Sequence, residues 1–191
     1  MKRNVRWITE TAVMLALLIC LQWMGSQIPE QMTKQLVTGS FVNAVLAVTV
    51  LVAGLSPGMT VAVISPAVAY YLNIAPNFIA VGPIMLANIC YVFLLWLLLG
   101  KGGKFVWKQS VALICASLAK FSVLYLLMVK VICGLAADRL LGKKLGDTVL
   151  LAPKMLQVLP AMFSWPQLVT ALLGGTVALL IVPVLRKALH R

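Results

Sequence analysis

Apolar residues run through this chain in long unbroken stretches separated by short polar segments. The first stretch covers about Ile8 to Met24. Gly25 to Ser40, with Pro29, Glu30 and Lys34, reads as a loop. Phe41 to Leu72 is one apolar block, interrupted at Gly54-Leu55-Ser56-Pro57-Gly58, where glycine and proline together mark a tight turn. This predicts two short helices, Phe41–Leu55 and Pro57–Leu72, with Pro57 at a helix start. Asn73 to Asn77 is the next turn. Further spans follow at about Ile79–Leu99, Gln109–Cys133 and Ala161–Leu185, joined by a short loop, Gly100–Lys108, and a long segment, Gly134–Pro160. Barrel strands would alternate with period two over ~10 residues. These runs do not, so the spans are helices. The expected fold is an all-α membrane protein of six transmembrane helices, with long outer loops after helices 1 and 5.

Composition agrees with a bilayer as solvent. Hydrophobic residues make up 62% of the chain and charged residues only 10%. A helix needs about 20 apolar residues to cross a core of roughly 30 Å, so 191 residues fill one domain, 1–191, with little left over. Lys2, Arg3 and Arg6 precede the first apolar run as in a signal peptide. Thr9, Glu10 and Thr11 interrupt that pattern and no A-x-A site follows, so a retained first helix is expected.

The net charge of +12 reports topology rather than nucleic acid. With six spans both termini share one side. That side carries Lys2, Arg3, Arg6, Lys101, Lys104, Lys108, Arg186, Lys187 and Arg191, which the positive-inside rule places in the cytoplasm. The other side holds Lys34, Arg139, Lys143, Lys144 and Lys154, partly offset by Glu30, Asp138 and Asp147. Trp7 and Trp107 near the inner ends, and Tyr70, Tyr71 and Trp165 near the outer ends, fit interfacial belts. Val149 to Leu159 is apolar apart from Lys154 and Gln157. It can cap a site as a lid or lie on the surface as a plain loop.

Catalytic chemistry is poorly supplied, and the chain is not expected to be an enzyme. His190 is the sole histidine, and no carboxylate falls within a confident span. Metal-protease, acidic metal-cluster and G-x-S-x-G patterns are missing. Gly100-Lys101-Gly102-Gly103-Lys104 lacks the nucleotide-binding spacing, so active transport would draw energy from a partner. Ser117 and Lys120 stand i, i+3, but no oxyanion donor accompanies them. Cys20, Cys90, Cys115 and Cys133 have no C-x-x-C spacing and read as small packing residues.

Polar residues in hydrocarbon are the remaining signal, since each costs roughly 2–3 kcal/mol or more without a partner or water. Lys120 lies about 18 Å of helix rise from the inner end of its span, too deep to reach water comfortably. Lys130, near the outer end, can snorkel. Asn88 and Tyr91 share a helix face at i, i+3. Asn88 can bind a ligand or join two helices. Gln167 and Thr170 repeat the spacing on the last span beside Trp165, either around a small solute or as packing polars. Asn43 and Gln22-Trp23 are weaker candidates. The substrate-binding set expected is Asn88, Tyr91, Lys120, Lys130, Trp165 and Gln167. Two lysines and no buried acid favour a carboxylate, phosphate or other acceptor-rich solute. Ala12 and Ala16 form a small-xxx-small face that lets another helix approach closely, and Gly174-Gly175 and Ala44 with Ala47 offer similar openings.

Ala12-Val13-Met14-Leu15-Ala16, the turn Gly54-Leu55-Ser56-Pro57-Gly58 and the pair Gly174-Gly175 resemble the substrate-binding S components of energy-coupling factor (ECF) transporters. The layout is similar over the whole chain, and the specific likeness is confined to these short pieces. The resemblance implies a bacterial or archaeal cell membrane, a vitamin or related micronutrient held near the outer face, and a pocket built by helices 4 to 6 and the outer loops. It implies that Ala12 and Ala16 dock a transmembrane coupling subunit powered by two ATPases, so ATP is used by partners and no cofactor belongs to this chain. Two other readings are a structural assembly subunit of the rod-shape protein D type, without a ligand pocket, and an autonomous carrier.

Overall fold

A computed structural model describes residues 2–75, 77–99, 106–145 and 148–189. Lys101, Lys104, the glycines between them, Asp147, His190 and Arg191 lie outside the described residues.

Among the described residues the regular structure is helical apart from one minimal hairpin. Helix α1 is Lys2–Ser26, α2 is Gln31–Val52, α3 is Leu55–Tyr71 and α4 is Val81–Leu99, entered through a 3-10 turn at Phe78–Ala80. Helix α5, Val106–Leu124, continues as a π-helix over Tyr125–Leu135. A short α6, Ala137–Leu140, leads to paired strands β1, Lys144–Leu145, and β2, Thr148–Val149. Helices α7, Pro153–Met162, and α8, Trp165–Ala188, complete the fold.

Among the described residues, five segments are long and apolar enough to cross a membrane: Val5–Ser26, Gln31–Val52, Phe78–Leu99, Trp107–Leu135 and Trp165–Ala188. Helix α3, with 17 residues, rises about 25 Å, short of a core of roughly 30 Å. The chain is therefore a multi-pass helical membrane protein by its apolar helices.

Two expectations are corrected. The long outer loop after helix 1 does not exist: residues expected as Gly25–Ser40 loop are mostly the first turns of α2. Glu30 starts that helix by accepting bonds from the Met32 and Thr33 amides at 2.8 and 2.5 Å, the role of an N-cap. The segment after α5 is long but folded. Asn77 holds it, donating from Nδ2 to the Val149 and Leu150 carbonyls while Oδ1 accepts from Phe78 N. The expected loop or lid at Val149–Leu159 is thus largely helix α7.

Helix α2 is the centre of the bundle and packs most extensively on α8. The contact is close because α8 presents Gly174 to α2, while Gly175 faces α5 and α4. A Cβ at Gly174 would meet Ser40 O at 2.3 Å, and one at Gly175 would meet Leu113 Cδ1 at 2.0 Å and Tyr91 Oη at 2.7 Å. The core between the helices includes Leu46, Val61, Val92, Leu95, Ala116 and Ala171. A second cluster, including Leu124, Met128, Leu151, Leu159 and Phe163, lies under the α6–α7 segment. Large apolar side chains such as Leu97, Leu118, Leu180 and Val184 face outward, as lipid-facing residues do.

The turn between α2 and α3 is shorter than expected, with α3 beginning at Leu55 rather than Pro57. Gly54 at φ 102° supplies the left-handed backbone that the reversal needs. At the same end Arg186 Nη2 donates to Leu51 O at 2.7 Å, satisfying a carbonyl that the last turn of α2 leaves open.

Candidate functional site

At the other end of the bundle, α1 and α3 finish and α2, α4 and α8 begin. A cavity of about 100 Å³ lies there, several times the ~10–15 Å³ one water requires on this measure. Helix α2 contributes the longest wall. Its Gln31, Lys34, Gln35, Thr38, Val42 and Asn43 all line the space, with the i, i+3, i+4, i+7 spacing of one helix face. Gln22 from α1, Ser65 and Pro66 from α3, Asn88 from α4, Lys120 from α5 and Gln167 from α8 close the remaining sides. Met162 and Phe163, at the end of α7, also line it, so the segment after α5 does reach the site. Pro66 sits inside α3, where its missing N–H leaves the Ala62 carbonyl without the usual helical donor.

Lys120 is the floor of this site and is only 3% exposed. Its Nζ donates to Asn43 Oδ1 at 2.5 Å and to Asn88 Oδ1 at 2.6 Å. Both amides are fixed by what their nitrogens do. Asn43 Nδ2 donates to Thr170 Oγ1 at 3.3 Å, and Asn88 Nδ2 donates to Ser65 Oγ at 3.2 Å. Each asparagine therefore turns its oxygen to the lysine, the arrangement an ammonium donor requires. The Tyr91 ring lies beneath, with its centroid 5.5 Å from Nζ and its hydroxyl donating to Ala171 O at 3.2 Å. No carboxylate lines the cavity among the described residues. The lysine is thus solvated by neutral dipoles with no counter-charge among the described residues, a costly state for a buried cation.

The expected site residues divide accordingly. Asn88, Lys120 and Gln167 line the cavity, and Tyr91 supports Lys120 from below. Lys130 and Trp165 do not belong to it. Lys130 is exposed and sets its Nζ 5.8 Å from the Tyr125 ring. Trp165 is 58% exposed. Ser117 makes no hydrogen bond with Lys120, and its buried Oγ has no partner. Gln35, Thr38, Ser65 and Lys34 were not among the expected residues. The helical spacing of polar residues from Gln31 to Thr38 would have revealed three of them; Ser65 had no such signal. Asn43 and Gln22, the weaker candidates, are central.

Three polar atoms in residues that line the cavity are buried without a partner: Gln22 Oε1, Gln35 Oε1 and Thr38 Oγ1. Gln22 Nε2 donates to Ser65 O at 3.3 Å, and Gln35 Nε2 donates to Met162 O. Gln167 Nε2 reaches the same Met162 carbonyl at 3.2 Å. No family model, curated protein or solved structure matches this chain.

Proposed function

We propose that this chain is the substrate-binding membrane subunit of an ECF-type transporter, taking up a vitamin or related small micronutrient. The observation that carries the reading is Lys120: a buried lysine held by two oriented asparagines on the floor of a polar cavity, with no carboxylate lining it among the described residues. Helix joints seldom need a cation; an anionic or acceptor-rich solute does, since it completes the charge pair. The cavity lies at the bundle end opposite Arg6 and Arg186, which the positive-inside rule makes the outer end. In this reading α3 is a sixth, short crossing and both termini are cytoplasmic. Ala12 and Ala16 are exposed on α1, which leaves them free to meet a transmembrane coupling subunit whose two ATPases supply the energy.

Mass spectrometry of small molecules extracted from the purified protein tests the reading. A retained solute that also raises thermal stability is expected, because a ligand binding only the folded state must stabilise it. Binding without flux is expected when the chain is placed alone in liposomes. No retained solute and no stabilisation by any anion would favour the assembly-subunit reading instead. Flux by the chain alone would mark a carrier.

A further inference from the structure

The unpartnered atoms around the cavity narrow the solute further, given the binding role proposed above. Amide orientation is settled by the partners. Gln22 Nε2 faces the Ser65 carbonyl and Gln35 Nε2 faces the Met162 carbonyl. A carbonyl only accepts, so each glutamine must turn its nitrogen there and leave its oxygen as the unpaired atom. Both orphans are therefore acceptors, one on α1 and one on α2, and Gln22 is only 2% exposed. Buried acceptors of this kind are normally satisfied. The floor presents the opposite polarity, since Lys120 can only donate.

We infer that the cavity takes a small acid carrying neutral N–H donors: an anionic group meets Lys120, and amide, ureido or ring N–H groups meet Gln22 Oε1 and Gln35 Oε1. The donor is a neutral N–H rather than an ammonium. Lys34 and Lys120 both line the space and, among the described residues, no carboxylate does, so a second cation would meet only like charge there. Thr38 Oγ1, also orphaned, can donate or accept and fits either end.

Three fragments on the purified full chain separate the elements, read by thermal shift and calorimetry. Hydantoin-5-acetate carries both an acid and ring N–H groups, cyclopentylacetate only the acid, and hydantoin-5-acetamide only neutral groups. Hydantoin-5-acetate is expected to bind best. Gln22→Met and Gln35→Met are each expected to weaken it about 2- to 10-fold, as for one hydrogen bond, and to leave cyclopentylacetate unchanged. Equal loss for both acids would make the glutamines structural only and overturn the inference. Preference for hydantoin-5-acetamide, or a co-purified solute lacking an acid or an N–H, would overturn the solute class while leaving the binding role standing. No binding by any fragment together with no co-purified solute would overturn both.

Discussion

Lys120 Nζ and Asn88 Oδ1 meet at 2.6 Å across α5 and α4, and the asparagine's other end is anchored on Ser65 of α3. The lysine is held by an amide that a third helix keeps in place. Two substitutions at this pair should therefore differ in kind.

Lys120→Met leaves two neutral amide oxygens without a donor. Asn88→Leu leaves a buried amine with one acceptor fewer and strands Ser65 as well. Unsatisfied charged groups cost more than neutral ones, for which the figure is about 1–3 kcal/mol. Asn88→Leu is expected to lower the unfolding temperature of the ligand-free protein more than Lys120→Met. Solute affinity should fall roughly 10- to 100-fold in Lys120→Met, the range of one charge-assisted bond. Calorimetry with the co-purified solute checks this, and an unchanged affinity would sink the role given to Lys120.

Lys130 supplies the contrasting case. Its amine is exposed and rests over Tyr125, outside the cavity. Lys130→Met is expected to leave affinity within a factor of about 2, as surface changes alter energies by no more than ~0.5 kcal/mol. A larger loss would show that the lysine reaches the bound solute.

The glycine pair on α8 should respond unequally to alanine. A Cβ at position 174 strikes backbone, Ser40 O and Ala44 N, which cannot rotate away. At position 175 the nearest atom is the end of the Leu113 side chain, which can. Overpacking costs about 1–3 kcal/mol. Gly174→Ala is expected at or above the top of that range and Gly175→Ala below it. Thermal unfolding in detergent ranks the two, and the reverse order would mean that helix α8 shifts as a body.

Glu30 predicts a weak acid dependence. Bonds from Thr33, first, and from the Met32 amide hold its carboxyl below the ordinary carboxylate value. A group depressed in the folded state stabilises above its unfolded pKa, near 4. That contribution fades as the pH falls through the lower, folded value. The effect is small because the carboxyl faces water. Unfolding temperatures followed down to acid pH should show a shallower acid limb in Glu30→Gln, and identical limbs would assign the loss to other groups.

The helices were legible in the sequence because apolar runs are long and lipid leaves few alternatives to a helix. Depth in hydrocarbon draws attention to Lys120 and Asn88, since burial of such groups demands partners, and the fold pairs the two. The start of α2 was misread for a physical reason. A helix end that faces a polar cavity has the composition of a loop, and Gln31, Lys34, Gln35 and Thr38 differ from one only in their spacing. Lys130 and Trp165 stand out by polarity and aromatic character, which do not say whether a residue faces the cavity; for Lys130 the facing also changes where the helix widens into π geometry from Tyr125 onward. Pairings such as Asn43 with Lys120 join residues far apart in the chain, and no local pattern announces them.

The crossing of α2 and α8 at Gly174 has a mechanical meaning. Helices pressed backbone to backbone at one point cannot part there, so that point acts as a fulcrum. Asn43 lies at this contact, Thr170 and the Gln35–Thr38 stretch lie to one side of it, toward the cavity, and Leu51 and Arg186 lie on the other. Levering the two helices apart around a solute would draw their far ends together, where Arg186 already grips the end of α2. With the solute site proposed above, a rigid see-saw of this kind would report occupancy at one end of the bundle to the other without any helix having to slide.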